Sequence, residues 1–160
     1  MAYLAIAAVA LATAAISVLL GRSGMSWFRS LRLPKWPVSV HAMAVWWGVL
    51  FALMTVSAML SWSVTSDGDR ERVAALYAID AFLNVAWCYL FFVRHQIGSA
   101  TLEAALLAIA TAVVVLEVFS ASLLAALLLV PFFIWVLAAM YLTLSIFRMN
   151  LKGARREGGV

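Results

Sequence analysis

The residues able to do chemistry are few, and they sit among apolar neighbours. Asp80, Asn84, Trp87 and Cys88 fall at i, i+4, i+7 and i+8, which is one face of an α-helix. An acid, an amide, an indole and a thiol on one face read as a polar stripe turned toward a bundle interior or a wet cavity, because a carboxyl group facing hydrocarbon is costly. Asp80 lies near enough to a segment end that snorkelling to water is the alternative. Asn84 is a turn deeper and needs a hydrogen-bond partner inside. Two aromatic stripes accompany this face: Trp47, Phe51 and Met54 at i, i+4 and i+7, and Phe132, Trp135 and Ala139 at i, i+3 and i+7. Such stripes more often serve packing. If the three converge, they make an aromatic pocket with a few polar groups, the usual form of a site for a flat apolar ligand.

Other chemistry has no constellation to support it. The chain has no HExxH, CxxC, P-loop or GxSxG pattern. His41 and His95 lie at the ends of different segments and read as interfacial polar residues, so no metal is expected. Cys88, the single cysteine, cannot form an internal disulfide and reads as a small packing residue. Of the seven tryptophans, Trp62 fits an interfacial belt, as do Trp27 and Trp36 in the first loop. Trp47, Trp87 and Trp135 lie inside their apolar segments, where an indole N–H needs a partner or a cavity.

The elements that must position these residues are membrane spans. The 160 residues are 67% hydrophobic and 11% charged, with a mean hydropathy of +1.07, whereas soluble domains carry roughly 25% charged residues. About 20 mostly apolar residues cross a bilayer as a helix. Five segments qualify, at about 2–20, 40–62, 74–93, 101–119 and 123–147. Only Ser120, Ala121 and Ser122 separate the last two, which predicts a tight antiparallel pair. Helices are required because lipid offers no partner to unpaired backbone groups. Ala104, Ala108 and Ala112 form a small-residue ladder on the fourth span, which also carries Glu103 and Glu117 near its ends. The fold expected is therefore an all-α integral membrane protein, a five-transmembrane-helix bundle over 1–150. A basic, disordered tail is expected over 151–160, disposed toward anionic headgroups.

Charge sets the orientation. Five spans place Arg22, Arg29, Arg32, Lys35, Arg94, Arg148, Lys152, Arg155 and Arg156 on one side, and Arg70 and Arg72 on the other beside Asp67, Asp69 and Glu71. The positive-inside rule then predicts a cytoplasmic C-terminus and an N-terminus outside. The net charge of +4 is thus explained by membrane topology, and no nucleic-acid partner is expected. The short loops point to a prokaryotic plasma membrane.

The first loop and the opening turns of the second span form the most distinctive stretch: Trp27-Phe28, Leu31, Pro34 and Trp36, then Val45, Trp47-Gly48, Leu50-Phe51 and Met54. Together with Leu83-Asn84, Trp87 and Phe91-Phe92, and with Pro131-Phe132, Trp135 and Leu142, this resembles the TspO/MBR family of tryptophan-rich sensory and translocator proteins. The family pattern is approximately WYxxLxKPxWxPP, then VWGxLYxxMG, LNxxW and PYxxWxxxAxxLN. The likeness spans roughly residues 15–150. The chain departs from the pattern at Leu33 (lysine in the family), Val38-Ser39 and Cys88-Tyr89 (proline pairs), Thr143 (asparagine), Phe28, Phe51 and Phe132 (tyrosines), and Asp80 (a neutral polar residue).

The resemblance implies a homodimer of five-helix bundles with a pocket closed by the first loop. It implies a ligand that is flat and hydrophobic, a porphyrin or a sterol-like molecule, and no resident cofactor. Trp36, Trp47, Phe51, Asn84, Trp87, Phe132 and Trp135 would line the pocket between the second, third and fifth spans, with Asp80 at its polar end. Sensing or transport of that ligand is the expected function. Two other readings stand beside it: light-dependent porphyrin breakdown, in which Trp47 and Trp135 would take part, and a non-catalytic scaffold whose ligand site has been lost.

Overall fold

The computed structural model describes residues 1–34 and 40–157. The elements are α1 (Ala2–Ser23), a short α2 (Met25–Ser30), α3 (Val40–Val64), α4 (Asp67–Cys88) passing into a π-helical turn (Tyr89–Val93), α5 (Ile97–Ala121) and α6 (Leu123–Glu157). Five stretches are long and apolar enough to cross a membrane: Ala2–Ser23, Val45–Val64, Asp67–Val93, Ile97–Ala121 and Leu123–Leu151. The fold is the five-helix membrane bundle that the hydropathy pattern predicts. The helices overrun the predicted spans because their ends are polar residues that favour helix termini. Ser66, in extended conformation, precedes α4, and Asp67 and Asp69 lie in its first turn, where carboxylates meet the positive end of the helix dipole. Ser122 alone joins α5 to α6, and its Oγ accepts from the backbone N–H of Ala125, so a single side chain caps the last helix. Downstream, α6 stays helical to Glu157, within the segment that the sequence alone leaves unstructured; Ala, Arg and Glu there are good helix formers.

Many hydroxyls inside the spans close on their own helix. Thr13, Thr55, Ser61, Thr101 and Thr143 each donate to the carbonyl four residues back, which satisfies a polar group without needing water.

In the ring, α1 packs between α3 and α4, α3 meets α6, α6 meets α5, and α5 returns to α4. The closest pairing, α5 on α6, uses small residues. Ala100, Ala104 and Ala108 of α5 and Ala125 and Ala126 of α6 are all buried, which lets the two backbones approach. The outward face of α5 carries Leu102, Leu106, Ile109, Val113 and Leu116, all exposed, a stripe suited to lipid and to no aqueous surface. At the first-loop end, Gly24 sits against the π-helical turn so tightly that a Cβ there would collide with the backbone carbonyl of Phe92. Next to it His95 takes a positive φ of 55° and stacks on Trp27 at 4.1 Å.

Candidate functional site

A cavity of ≈ 270 Å³ lies between α1, α3 and α4, with Phe132 of α6 at its deep end. It exists because alanines wall it. Ala5 and Ala10 of α1, Ala58 of α3, and Ala74, Ala78 and Ala81 of α4 all border it, where larger side chains would have met and closed the gap. The end lined by Trp62, Thr65 and Arg70, at the α3–α4 connection, is called the mouth, and the end lined by Thr13, Phe51, Asn84 and Phe132 the floor. From Arg70 to Asn84 the slot follows α4 for about 21 Å at 1.5 Å per residue, from the interface past the midplane of a roughly 30 Å hydrocarbon core.

This position differs from that of the pocket the resemblance implies. The cavity lies in the half of the bundle away from the first loop, and it borders the first span instead of the fifth along most of its length. Phe51, Asn84 and Phe132 do meet at its floor. Trp47 and Trp87 do not line it. They pack together at 6.4 Å between centroids, and Trp87 stacks on Phe91 at 5.4 Å, within a cluster that includes Phe28, Phe92 and Ile146. That cluster lies in the first-loop half of the bundle. Trp135 packs against the separate core around Leu50, Met54, Val73 and Leu129 and does not touch the cavity. The two indoles assigned to photochemistry, Trp47 and Trp135, thus belong to different clusters. Trp36 lies outside the described residues.

Asp80, expected at the polar end of a pocket, instead faces α5. It is 0% exposed and its Oδ1 accepts from Thr111 Oγ1 at 2.6 Å, while its Oδ2 has no partner among the described residues. Glu103, on the same side of α5, is buried with neither carboxyl oxygen hydrogen-bonded, and Nε1 of Trp87 is likewise buried without a partner among the described residues. Asn84 bridges helices: its Oδ1 accepts from Ser17 of α1 at 3.2 Å. Its Nδ2 makes no hydrogen bond among the described residues, and the side chain borders the cavity.

Several residues that shape this site carry no sequence signal of their own. Tyr77 lines the cavity, and its hydroxyl is 2.7 Å from Ser57 Oγ and 3.3 Å from Ser61 Oγ. Ser57 also donates to the carbonyl of Ala125 at 2.7 Å, so one serine fixes α3, α4 and α6 behind the cavity. Arg70 is held at the mouth by its Nε donating to the carbonyl of Trp62 at 3.1 Å and by a cation–π contact of 5.5 Å with the Trp62 ring. Serines and tyrosines scattered through apolar spans become recognisable as a set only once the helices are placed.

What the arrangement can do is bind. Among the described residues, no three His, Cys, Asp or Glu side chains come together as metal ligands would. The cavity offers apolar walls, the aromatic rings of Phe51, Trp62, Tyr77 and Phe132, one free amide donor at the floor and one guanidinium at the mouth.

The TspO/MBR family model matches residues 4–149 of the chain. An uncharacterized membrane protein of Bacillus subtilis, YtaB, is 32% identical over 125 residues, covering 78% of this chain and 81% of that protein. The translocator protein of Sus scrofa is 32% identical over 137 residues, covering 83% and 81%. The tryptophan-rich sensory protein of Cereibacter sphaeroides is 26% identical over 124 residues, covering 78% and 77%. With its five spanning helices and a family match over nearly its whole length, the chain is an integral, multi-pass membrane protein belonging to the TspO/MBR family.

Proposed function

We propose that the protein binds a flat hydrophobic ligand within the membrane, in the alanine-walled cavity between α1, α3 and α4, and so senses or moves that ligand. The ligand that the family resemblance implies is a porphyrin. The observation that carries this reading is the cavity itself: a space of ≈ 270 Å³ between three helices. The rings of Phe51 and Phe132 supply apolar contact at roughly 25 cal/mol per Å² buried, and Asn84 Nδ2 supplies one donor to fix orientation.

A volume of ≈ 270 Å³ is at the small end for drug-sized ligands, so a macrocycle needs one wall to give. The wall least held is α1. Only 11% of its most apolar stretch is buried, against 28–33% for the other four spans. Outward movement of α1 exchanges few protein contacts for lipid contacts of similar kind, and it widens the slot along its whole length.

With the bases distributed as they are, the C-terminus is cytoplasmic and the cavity mouth lies toward the outer side of a prokaryotic plasma membrane. The apolar outer faces meet lipid and, in the homodimer that the resemblance implies, a second copy.

The test is tryptophan fluorescence of the detergent-solubilised protein titrated with protoporphyrin IX. Saturable quenching that is lost in Asn84→Leu is the expected result. Non-saturable quenching equal to that of free tryptophan would sink the reading.

A further inference from the structure

The two ends of the bundle use their arginines differently. At the α3–α4 end both are engaged: Arg70 pairs with Asp67, and Arg72 pairs with Asp69 at 3.0 Å and with Glu117 at 2.6 Å. At the first-loop end Arg22, Arg29, Arg94 and Arg148 are all exposed, and none has a carboxylate partner among the described residues. The acids whose side chains are described lie elsewhere. Asp67, Asp69, Glu71 and Glu117 belong to the α3–α4 end, and Asp80 and Glu103 are buried in the bundle. Arg22 and Arg29 each stand in the last turn of a helix, where the dipole favours a cation, but that interaction leaves the donors of the guanidinium unused.

Three contacts hold these arginines at one end. Gly24 is pressed against the backbone of Phe92, and each is two residues from an arginine, Arg22 on one side and Arg94 on the other. Trp27 stacks on His95 at 4.1 Å, which ties the helix carrying Arg29 to the turn carrying Arg94. Arg32 and Asn150 exchange two hydrogen bonds of 3.2 Å through the Arg32 backbone N–H and carbonyl, so the chain after α2 is fastened to α6 just beyond Arg148. Like charges gathered this way repel one another, and a bound anion relieves the repulsion. Apolar surface adjoins the charge on the bilayer side. Val18 and Leu19, one turn before Arg22, are 45% and 63% exposed, and Val93, beside Arg94, is 39% exposed. Cationic groups at the level of the headgroups with apolar side chains directly below them match a phospholipid. A free phosphate or an acidic peptide would use the charge alone.

We propose that the first-loop end is a binding site for an anionic phospholipid, with the phosphate diester taken by Arg22, Arg29 and Arg94 and an acyl chain lying against Val18, Leu19 and Val93. The guanidinium fork matches phosphate oxygens, and basic groups between spanning helices are where anionic headgroups dock. A bias of bases to one side orients a membrane protein but selects no headgroup. Arginines of α1, of α2 and of the turn after α4, clamped at Gly24 and Trp27, present a fixed arrangement that does. The site is separate from the cavity, whose mouth is at the α3–α4 end, so it stands or falls independently of ligand binding there.

The full chain in neutral detergent is mixed with equal amounts of phosphatidylglycerol and phosphatidylcholine carrying the same acyl chains, and the lipid retained is read by native mass spectrometry. A basic side chain near an anionic surface contributes about fivefold in affinity, so three arginines should favour phosphatidylglycerol by about a hundredfold. The double variant Arg22→Gln/Arg94→Gln should lower that preference to about fivefold. The pair Arg22→Lys/Arg94→Lys, which keeps the charge without the fork, should fall between the two, and Arg72→Gln, at the opposite end, should leave the preference unchanged. All four arginines at this end are exposed, so thermal unfolding without added lipid should be no lower in the Arg22 and Arg94 variants than in wild type. Excess inorganic phosphate should not displace the lipid. A preference that survives Arg22→Gln/Arg94→Gln overturns the site. Displacement by inorganic phosphate, or poly-glutamate held as tightly as phosphatidylglycerol, overturns the lipid as its occupant.

Discussion

Filling the cavity should raise stability and lower affinity at once, and Ala81→Leu is the substitution that does so most directly. Ala81 borders the cavity on α4, between Tyr77 and Asn84, so a longer side chain there enters the slot about one turn above its floor. Leucine adds three carbons. Taking each at about the 30 Å³ of a liquid water, it occupies about 90 Å³, a third of the ≈ 270 Å³ present. Empty apolar volume costs about 24 cal/mol per Å³, so the substitution should stabilise the unliganded protein by up to about 2 kcal/mol. A ligand that uses the slot forfeits the contact of two to three methylenes, at about 0.8 kcal/mol each, or roughly a thirtyfold loss of affinity. Thermal unfolding in detergent, paired with the protoporphyrin IX quenching titration, measures both quantities in one preparation. Val113→Leu, on the exposed face of α5, is the control and should change neither. Raised stability with unaltered affinity would refute the placement of the ligand in this cavity. Lowered stability would refute the claim that the space is open in the unliganded state.

Phe132→Ala and Phe51→Ala, which remove rings from the cavity floor, should each weaken protoporphyrin binding by about tenfold, whereas Trp135→Ala, which lies in the separate core, should lower thermal stability with little change in affinity. Thr111→Val leaves Asp80 without its one hydrogen bond and should destabilise the protein by about 2 kcal/mol. Combining it with Asp80→Val should cost less than the two single changes added together, a double-mutant cycle read by unfolding in a denaturing detergent titration. Gly24→Ala drives a methyl into the Phe92 carbonyl and should destabilise by about 1–3 kcal/mol as an overpacked contact, measured by the same unfolding assay, while Gly21→Ala, which meets open space, should be neutral or slightly stabilising.

Residue composition and order were enough to set the number of spans, the helical class, the end of the bundle at which the bases gather, and the presence of polar groups too deep in a span to escape. Each of these comes from transfer energies that act residue by residue. Asn84 illustrates the point: an amide a full turn inside an apolar segment must find a partner within the bundle, and it finds Ser17. The motif order was legible in the same way and carried the family.

Where the interior is open and where it is filled depended on the packing of the helices in space. Helices that are apolar on every side carry no amphipathic stripe to say which face turns inward, so Trp47, Trp87 and Trp135 could not be rotated from the sequence, and Trp135 falls in a different core from the other two. Asp80 shares one helical face with Asn84 by spacing, yet a modest rotation of α4 turns the acid onto Thr111 of α5 and leaves the amide on the cavity. The cavity itself depends on alanines of three helices meeting at one level, a coincidence of register. Alanine is so common in these spans that this register has no mark in the sequence, and only packing reveals it.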